Sequence, residues 1–223
     1  MVFIPATVQM TTPLGMTAYI PAVLPPSDNI LPDEIALVFY ESQQTYINAM
    51  RDKVTGRAYA AMHGTTFNFS NDAEIPPSHS DFPRKYLGDL DFDQPYYLFD
   101  QSVDWQAGNT LVYAGLLKDS CHTLHIQQHL HKWLQGICTR DDKMLDGFVF
   151  MLNKHYLLCW QHSPSPEKRI VGSDQLLDFF EPVLQQQAVN TPIPLNPITD
   201  YSGVNVRDGL CLNTQFVRRA SVL

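Results

Sequence analysis

The sequence predicts an α+β fold in which two β-α-β halves pack together, with a further helix and a hairpin towards the C-terminal end. Three observations carry that prediction. A buried-strand pattern, then an acidic residue and a serine, then a helical apolar stripe, occurs twice, around Glu41-Ser42 and Asp119-Ser120. Short apolar runs of strand type follow each helix. Of the 223 residues, 44% are hydrophobic and 11% aromatic, which is enough to bury a core and too much for a disordered chain.

The run from Met16 to Leu24 reads as a strand, and Pro21 within it confines it to an edge or an irregular position. The apolar run from Ile35 to Tyr40 reads as a buried strand. Ser42 is placed to cap a helix from about Gln43 to Lys53, with Ile47, Met50 and Val54 inward and Gly56 closing it. Arg57 to His63 then reads as a strand, resumed from Thr65 to Phe69. In the second half Thr110 to Leu117 reads as a strand and Cys121 to Thr139 as a longer helix. The apolar residues of that helix, Ile126, Leu130, Trp133, Leu134 and Ile137, fall within roughly a 100° arc at 100° per residue. Two strands follow, Phe148 to Leu152 and His155 to Trp160, around an Asn153-Lys154 turn. A helix is expected from Ser173 to Gln187, capped by Ser173 and kinked at Pro182. Asp208-Gly209 between Val204–Arg207 and Leu210–Asn213 is what a type I′ hairpin requires.

Between the halves, residues 70–109 carry Phe82, Tyr86, Phe92, Tyr96, Tyr97, Phe99 and Trp105 among many aspartates. Aromatics at that density pack, so this stretch reads as an ordered connector. The organisation expected is therefore a first half over 1–69, the connector over 70–109, and a second half with the C-terminal helix and hairpin over 110–223.

Two strand-helix-strand units with acidic-serine helix starts resemble a fused pair from the dimeric α+β barrel superfamily, which is built on ferredoxin-like folds. The carriers are Leu37-Val-Phe-Tyr-Glu-Ser42 with Gly56-Arg-Ala-Tyr59, and Tyr113 to Ser120 with Phe148 to Trp160. The resemblance covers about half of the chain, and the connector and C-terminal elements lie outside it. It implies two ferredoxin-like halves with a hydrophobic pocket between sheet and helices, a place such folds use for small-molecule binding, cofactor-free oxygenation or haem degradation. A shared fold does not by itself carry function across.

The net charge of −8 and pI near 5.3 argue against a nucleic-acid or anionic-membrane surface, because both are held by clustered Lys and Arg. The N-terminal region lacks a signal-peptide plan, and a cytoplasmic protein is expected. The four cysteines read as small buried thiols, with no CxxC and no zinc-type spacing.

Arg57, Tyr59 and His63 would share one face of the expected strand, with Tyr40 at the adjacent strand end, as a lining for an anionic or phenolic ligand or as a plain solvent face. His125 and His129 stand at i and i+4, the spacing at which two imidazoles share a metal, although no HExxH glutamate follows. The same histidines also read as a polar helix flank or a pH-sensitive contact. Asp89, Asp91, Asp93 and Asp100 copy calcium-loop spacing without the sharp-turn glycine, since Gln94 stands there. No motif calls for a cofactor. The first functional expectation is a non-catalytic binding protein for a small molecule or a protein partner, with the acidic, aromatic connector as its recognition element. The alternatives are a cofactor-free monooxygenase or isomerase-like enzyme with a hydrophobic pocket, and a metal-dependent protein using the histidine helix.

Overall fold

The computed structural model describes residues 7, 10–24, 31, 34–66, 79–100, 103–105, 108–118, 123–139, 145–165, 170, 172–187 and 210–215. It is an α+β protein with two sheets. The chain divides into two compact units, one of residues 1–82 with 189–223 and one of residues 83–188. Among the described residues no helix is long and apolar enough to cross a membrane.

In the first unit, a 3-10 turn at Thr12–Leu14 leads into β1 (Met16–Val23), followed by β2 (Glu34–Tyr40). Two helices come next, α1 (Gln43–Asp52) and α2 (Val54–Thr66), then β3 (His79–Asp81). The sheet order is β1-β2-β10-β3, where β10 (Leu210–Gln215) arrives from the far end of the chain. Neighbours are antiparallel throughout, so β2 and β3 run parallel with β10 between them. Pro21 sits in the edge strand β1, the position to which a proline in a strand is confined. On the helix side of this sheet Met16, Tyr19, Ala36, Val38 and Tyr40 form a core, with Tyr46 and Met50 of α1 packed against it.

Ser42 caps α1 as its residue type requires, its Oγ accepting the Thr45 N–H at 3.0 Å. The helix stops at Lys53, which is extended (φ −85°, ψ 138°), and not at Gly56. Gly56 lies instead in the first turn of α2, where a Cβ would sit 1.9 Å from the Ala49 carbonyl oxygen. Glycine there lets the second helix start hard against the end of the first. Val54, expected to face inward, opens α2 and is exposed. The segment Arg57 to His63 is helical, not a strand. Its Arg-Ala-Tyr-Ala-Ala-Met composition explains this, since Ala, Arg and Met are strong helix formers and Ala is poor in sheets.

The second unit contains β4 (Arg84–Lys85), β5 (Pro95–Tyr97), β6 (Asn109–Leu117), α3 (Thr123–Cys138), β7 (Gly147–Leu152), β8 (Tyr156–Ser163), the short α4 (Ser173–Leu176) and β9 (Phe180–Gln187). The sheet order is β4-β5-β7-β8-β6-β9, antiparallel except for the β4–β5 pair. From β6 to β9 the elements run β-α-β-β-α-β. The inner face of α3, Ile126, Leu130, Trp133, Leu134 and Ile137, is the stripe read from the sequence. It packs on Leu111, Tyr113, Phe148, Phe150, Leu157 and Cys159. Each such side chain taken out of water contributes about 1.5–3 kcal/mol. The turn after β7 is centred one residue later than expected, on Lys154-His155. Asn153 N–H bonds the Tyr156 carbonyl, and the Asn153 side chain accepts the His155 N–H.

One C-terminal expectation is corrected and another falls outside the described residues. The helix expected from Ser173 to Gln187 lasts only to Leu176, and its cap is Gly172 in the left-handed region (φ 70°), without a side-chain cap bond. Phe180–Gln187 is a strand on the sheet edge, where Pro182 is tolerated, as it would not be inside a helix. As for the hairpin, Asp208-Gly209 and Val204–Arg207 lie outside the described residues. The other arm, β10, has both edges taken at Leu212 and Asn213, by β2 on one side and β3 on the other. Asp119-Ser120, His122 and Cys121 also lie outside the described residues. Of the thiols, Cys159 is buried as expected, whereas Cys138 is exposed.

Candidate functional site

In the second unit the segment after β4 runs alongside α3 and leaves an open groove of about 390 Å³. Gly88, Asp89 and Leu90 form one wall and Gln127, Gln128, His131 and Lys132 the other. The residue spacing on α3 explains that wall. Positions 127, 128, 131 and 132 are related by i, i+3 and i+4, so they share one flank while Ile126, Leu130 and Trp133 face the core.

Specific bonds hold the two walls together. The Gln127 amide donates to the Leu90 carbonyl at 2.9 Å. One turn further along α3, the Gln135 amide lies 2.7 Å from His131 Nε2, and His131 Nδ1 lies 2.6 Å from the Tyr86 hydroxyl. If the amide donates, the ring proton sits on Nδ1 and donates to Tyr86, whose own proton reaches the Gly88 carbonyl at 3.4 Å. Every donor in that chain then has an acceptor. Burial, with smaller contributions from Cys138, Asp89 and Tyr96, pushes the Tyr86 hydroxyl up to about 12. Tyr86 therefore stays a neutral donor at physiological pH. Its ring packs edge-on to Tyr96 and Phe150 at 5.9 and 5.7 Å. Gly88 has φ 118°, a conformation that favours glycine and turns the chain towards the helix. Removing the hydroxyl by Tyr86→Phe is expected to cost about 0.5–1.5 kcal/mol for each of its two hydrogen bonds, read from the urea midpoint. An unchanged midpoint would mean the bonds do not hold the segment.

The first unit holds a second polar cluster, among apolar neighbours. The Tyr19 hydroxyl bonds Glu34 Oε1 at 2.5 Å, with both residues buried. Burial raises the Glu34 carboxyl above its ordinary range, and the Tyr19 bond offsets part of that rise. Burial also pushes the Tyr19 hydroxyl well up, and the neighbouring Glu34, Tyr59 and Tyr40 add to it. Tyr59, buried on α2, donates to Thr7 Oγ1 at 3.3 Å. Tyr40 meets Tyr46 edge-on at 5.0 Å.

The sequence-derived residues thus separate. Tyr40 and Tyr59 both stand near Tyr19. Arg57 and Tyr59 are 200° apart on a helix at 100° per residue, and Arg57 is exposed, bonding the Arg51 and Asp52 carbonyls. His63 is carried by the same helix, α2, so the shared strand face that grouped 57, 59 and 63 does not exist. His125 is exposed on α3. His129 Nε2 lies 2.7 Å from the Gln175 carbonyl and so carries a proton, and its ring packs against Phe179 at 4.1 Å. A metal on His129 would have to use Nδ1 or displace that bond. Among the described residues no group of three or more His, Cys, Asp or Glu is placed to hold a metal ion. Of the calcium-like aspartates, Asp100 pairs with Lys85 and Asp93 with the Asn153 amide.

Sequence reasoning passed over Tyr86, His131 and Glu34 as site residues. Tyr86 and His131 are 45 residues apart, and no local pattern joins them. Glu34 carried a readable signal, a lone carboxylate opening an otherwise apolar strand. No family model, curated protein or solved structure matches this chain.

Proposed function

We propose that this is a non-catalytic binding protein that holds a polar ligand in the groove between the Gly88–Leu90 turn and α3. The observation that carries the reading is a groove of ligand size, about 390 Å³, whose walls are tied together before any ligand arrives. Its lining of amides, one carboxylate, one ammonium and an imidazole suits hydrogen-bonded recognition. The net charge of −8 favours a partner other than nucleic acid. The test is a titration of isotope-labelled protein with a library of small polar fragments, followed by amide shifts. Saturable shifts at Leu90, Gln127 and His131 are expected. Binding that maps only to other residues would sink the reading.

The scaffold proposed for this function is a fused pair of ferredoxin-like units. Its support is one strand arrangement seen twice, β3-β10-β2-β1 and β7-β8-β6-β9. In each, a helical crossover joins two parallel strands, a third strand lies between them, and a fourth pairs antiparallel with the first.

A second reading, an acid–base enzyme, is favoured by one observation. Glu34 is a buried carboxyl with a raised pKa bonded to Tyr19, the kind of perturbed group that active sites use.

A further inference from the structure

We infer that the groove takes a short peptide segment of mixed charge, with a basic side chain against Asp89, an acidic group against Lys132 and an aliphatic residue between them. The inference rests on the groove reading above and names its ligand class.

Three features of the lining point there. Asp89 and Lys132 stand on opposite walls, one on the turn and one on α3, so the groove carries a negative and a positive side. A ligand with a single sign of charge would satisfy one wall and meet repulsion at the other. Leu90 supplies apolar lining, and Leu87, one residue before the groove, is 83% exposed. Leu87 is the most exposed of the large hydrophobic residues described, and it projects beside a turn that Gly88 at φ 118° holds in place. An aliphatic residue in the ligand would cover both leucines. Gln127 and Gln128 place amide groups along the helix wall, and such groups read a peptide backbone through its N–H and C=O. The groove is open to solvent, as an extended segment requires and a buried cofactor does not.

The test uses the whole chain and three capped tripeptides: acetyl-Lys-Leu-Glu-amide, acetyl-Glu-Leu-Glu-amide and acetyl-Lys-Ser-Glu-amide. Affinities are read from amide shifts at Leu90 and Gln127. The Lys-Leu-Glu peptide is expected to bind about threefold or more tighter than Glu-Leu-Glu, since exposed ion pairs are individually modest. Asp89→Lys should reverse that order, and Leu87→Ser should erase the advantage of Leu over Ser in the peptide. Both positions are exposed, and unchanged circular dichroism would show that the variants fold. A preference that stays the same in Asp89→Lys overturns the charge pairing. Saturable groove shifts that ignore peptide charge overturn the ligand class while leaving the groove a binding site. No groove shift at about 1 mM of any peptide, together with none from the polar fragments, overturns both.

Discussion

Phe150→Ala is expected to destabilise the protein by about 3–5 kcal/mol, the range for emptying a fully buried aromatic site. Phe150 is 0% exposed in the centre of β7. It stacks on Tyr96 at 5.5 Å with 22° between planes and meets Tyr86 and Phe148 at 5.7 and 6.2 Å. Truncation would remove the apolar contact of all three rings at once, and sheet hydrogen bonding on both sides of β7 would hinder collapse into the space. Because Tyr86 packs on this ring and also anchors the groove, the variant should lose ligand capture under conditions where it is still folded. Phe150→Leu keeps most of the volume and is expected to cost less than about 1.5–2 kcal/mol. Urea unfolding followed by tryptophan fluorescence would measure both. A loss below about 1 kcal/mol for alanine would show that the surrounding rings close the cavity.

The second large effect lies in the first unit and depends on pH. Glu34 has a raised pKa in the folded state because burial penalises its charge. The folded protein therefore holds this proton to higher pH than the unfolded chain does. Below the unfolded value, near 4.3, both states are protonated and Glu34 exerts its full stabilising effect. As pH rises, the unfolded chain ionises first, and stability falls until pH passes the folded value. Glu34→Gln keeps a hydrogen-bond partner for Tyr19 and has no charge to bury. Its stability relative to wild type should thus increase from acid towards neutral pH and then level off. Glu34→Ala instead leaves the Tyr19 hydroxyl without its bond, at a cost of about 1–3 kcal/mol. Unfolding curves collected from acid to neutral pH would decide this. If wild type and Glu34→Gln ran parallel, Glu34 would not be carrying the proton.

The parts of this fold that could be read in advance are those whose pattern is long and local. The stripe from Ile126 to Ile137 spans three turns, and the runs over residues 35–40, 111–117, 148–152 and 156–160 are apolar, so helix and strands stand where expected. Arg57 to His63 misled because Arg57, Tyr59 and His63 would share one face of a strand, while its alanines favour the helix that forms. Ser173 to Gln187 misled for the opposite reason. Leu176, Phe180 and Leu184 fit a helical stripe, and what decides for a strand is the free edge of β6, which is remote in sequence. The groove shares that difficulty. Its histidine, glutamines and lysine were visible on a helix, yet only the folded chain brings Tyr86, Asp89 and Leu90 beside them.

The late position of β10 has a consequence for how the chain is made. During synthesis β1, β2, α1, α2 and β3 emerge first, but the strand that joins β2 to β3 is residues 210–215. The second unit lies wholly within residues 83–188 and is complete on the ribosome before then. Vectorial folding would therefore finish the later-starting unit first, while β2 and β3 wait with open edges for a partner more than a hundred residues downstream of either. A stop codon a few residues before Leu210 would spare every element of the second unit and leave the first with its central strand missing.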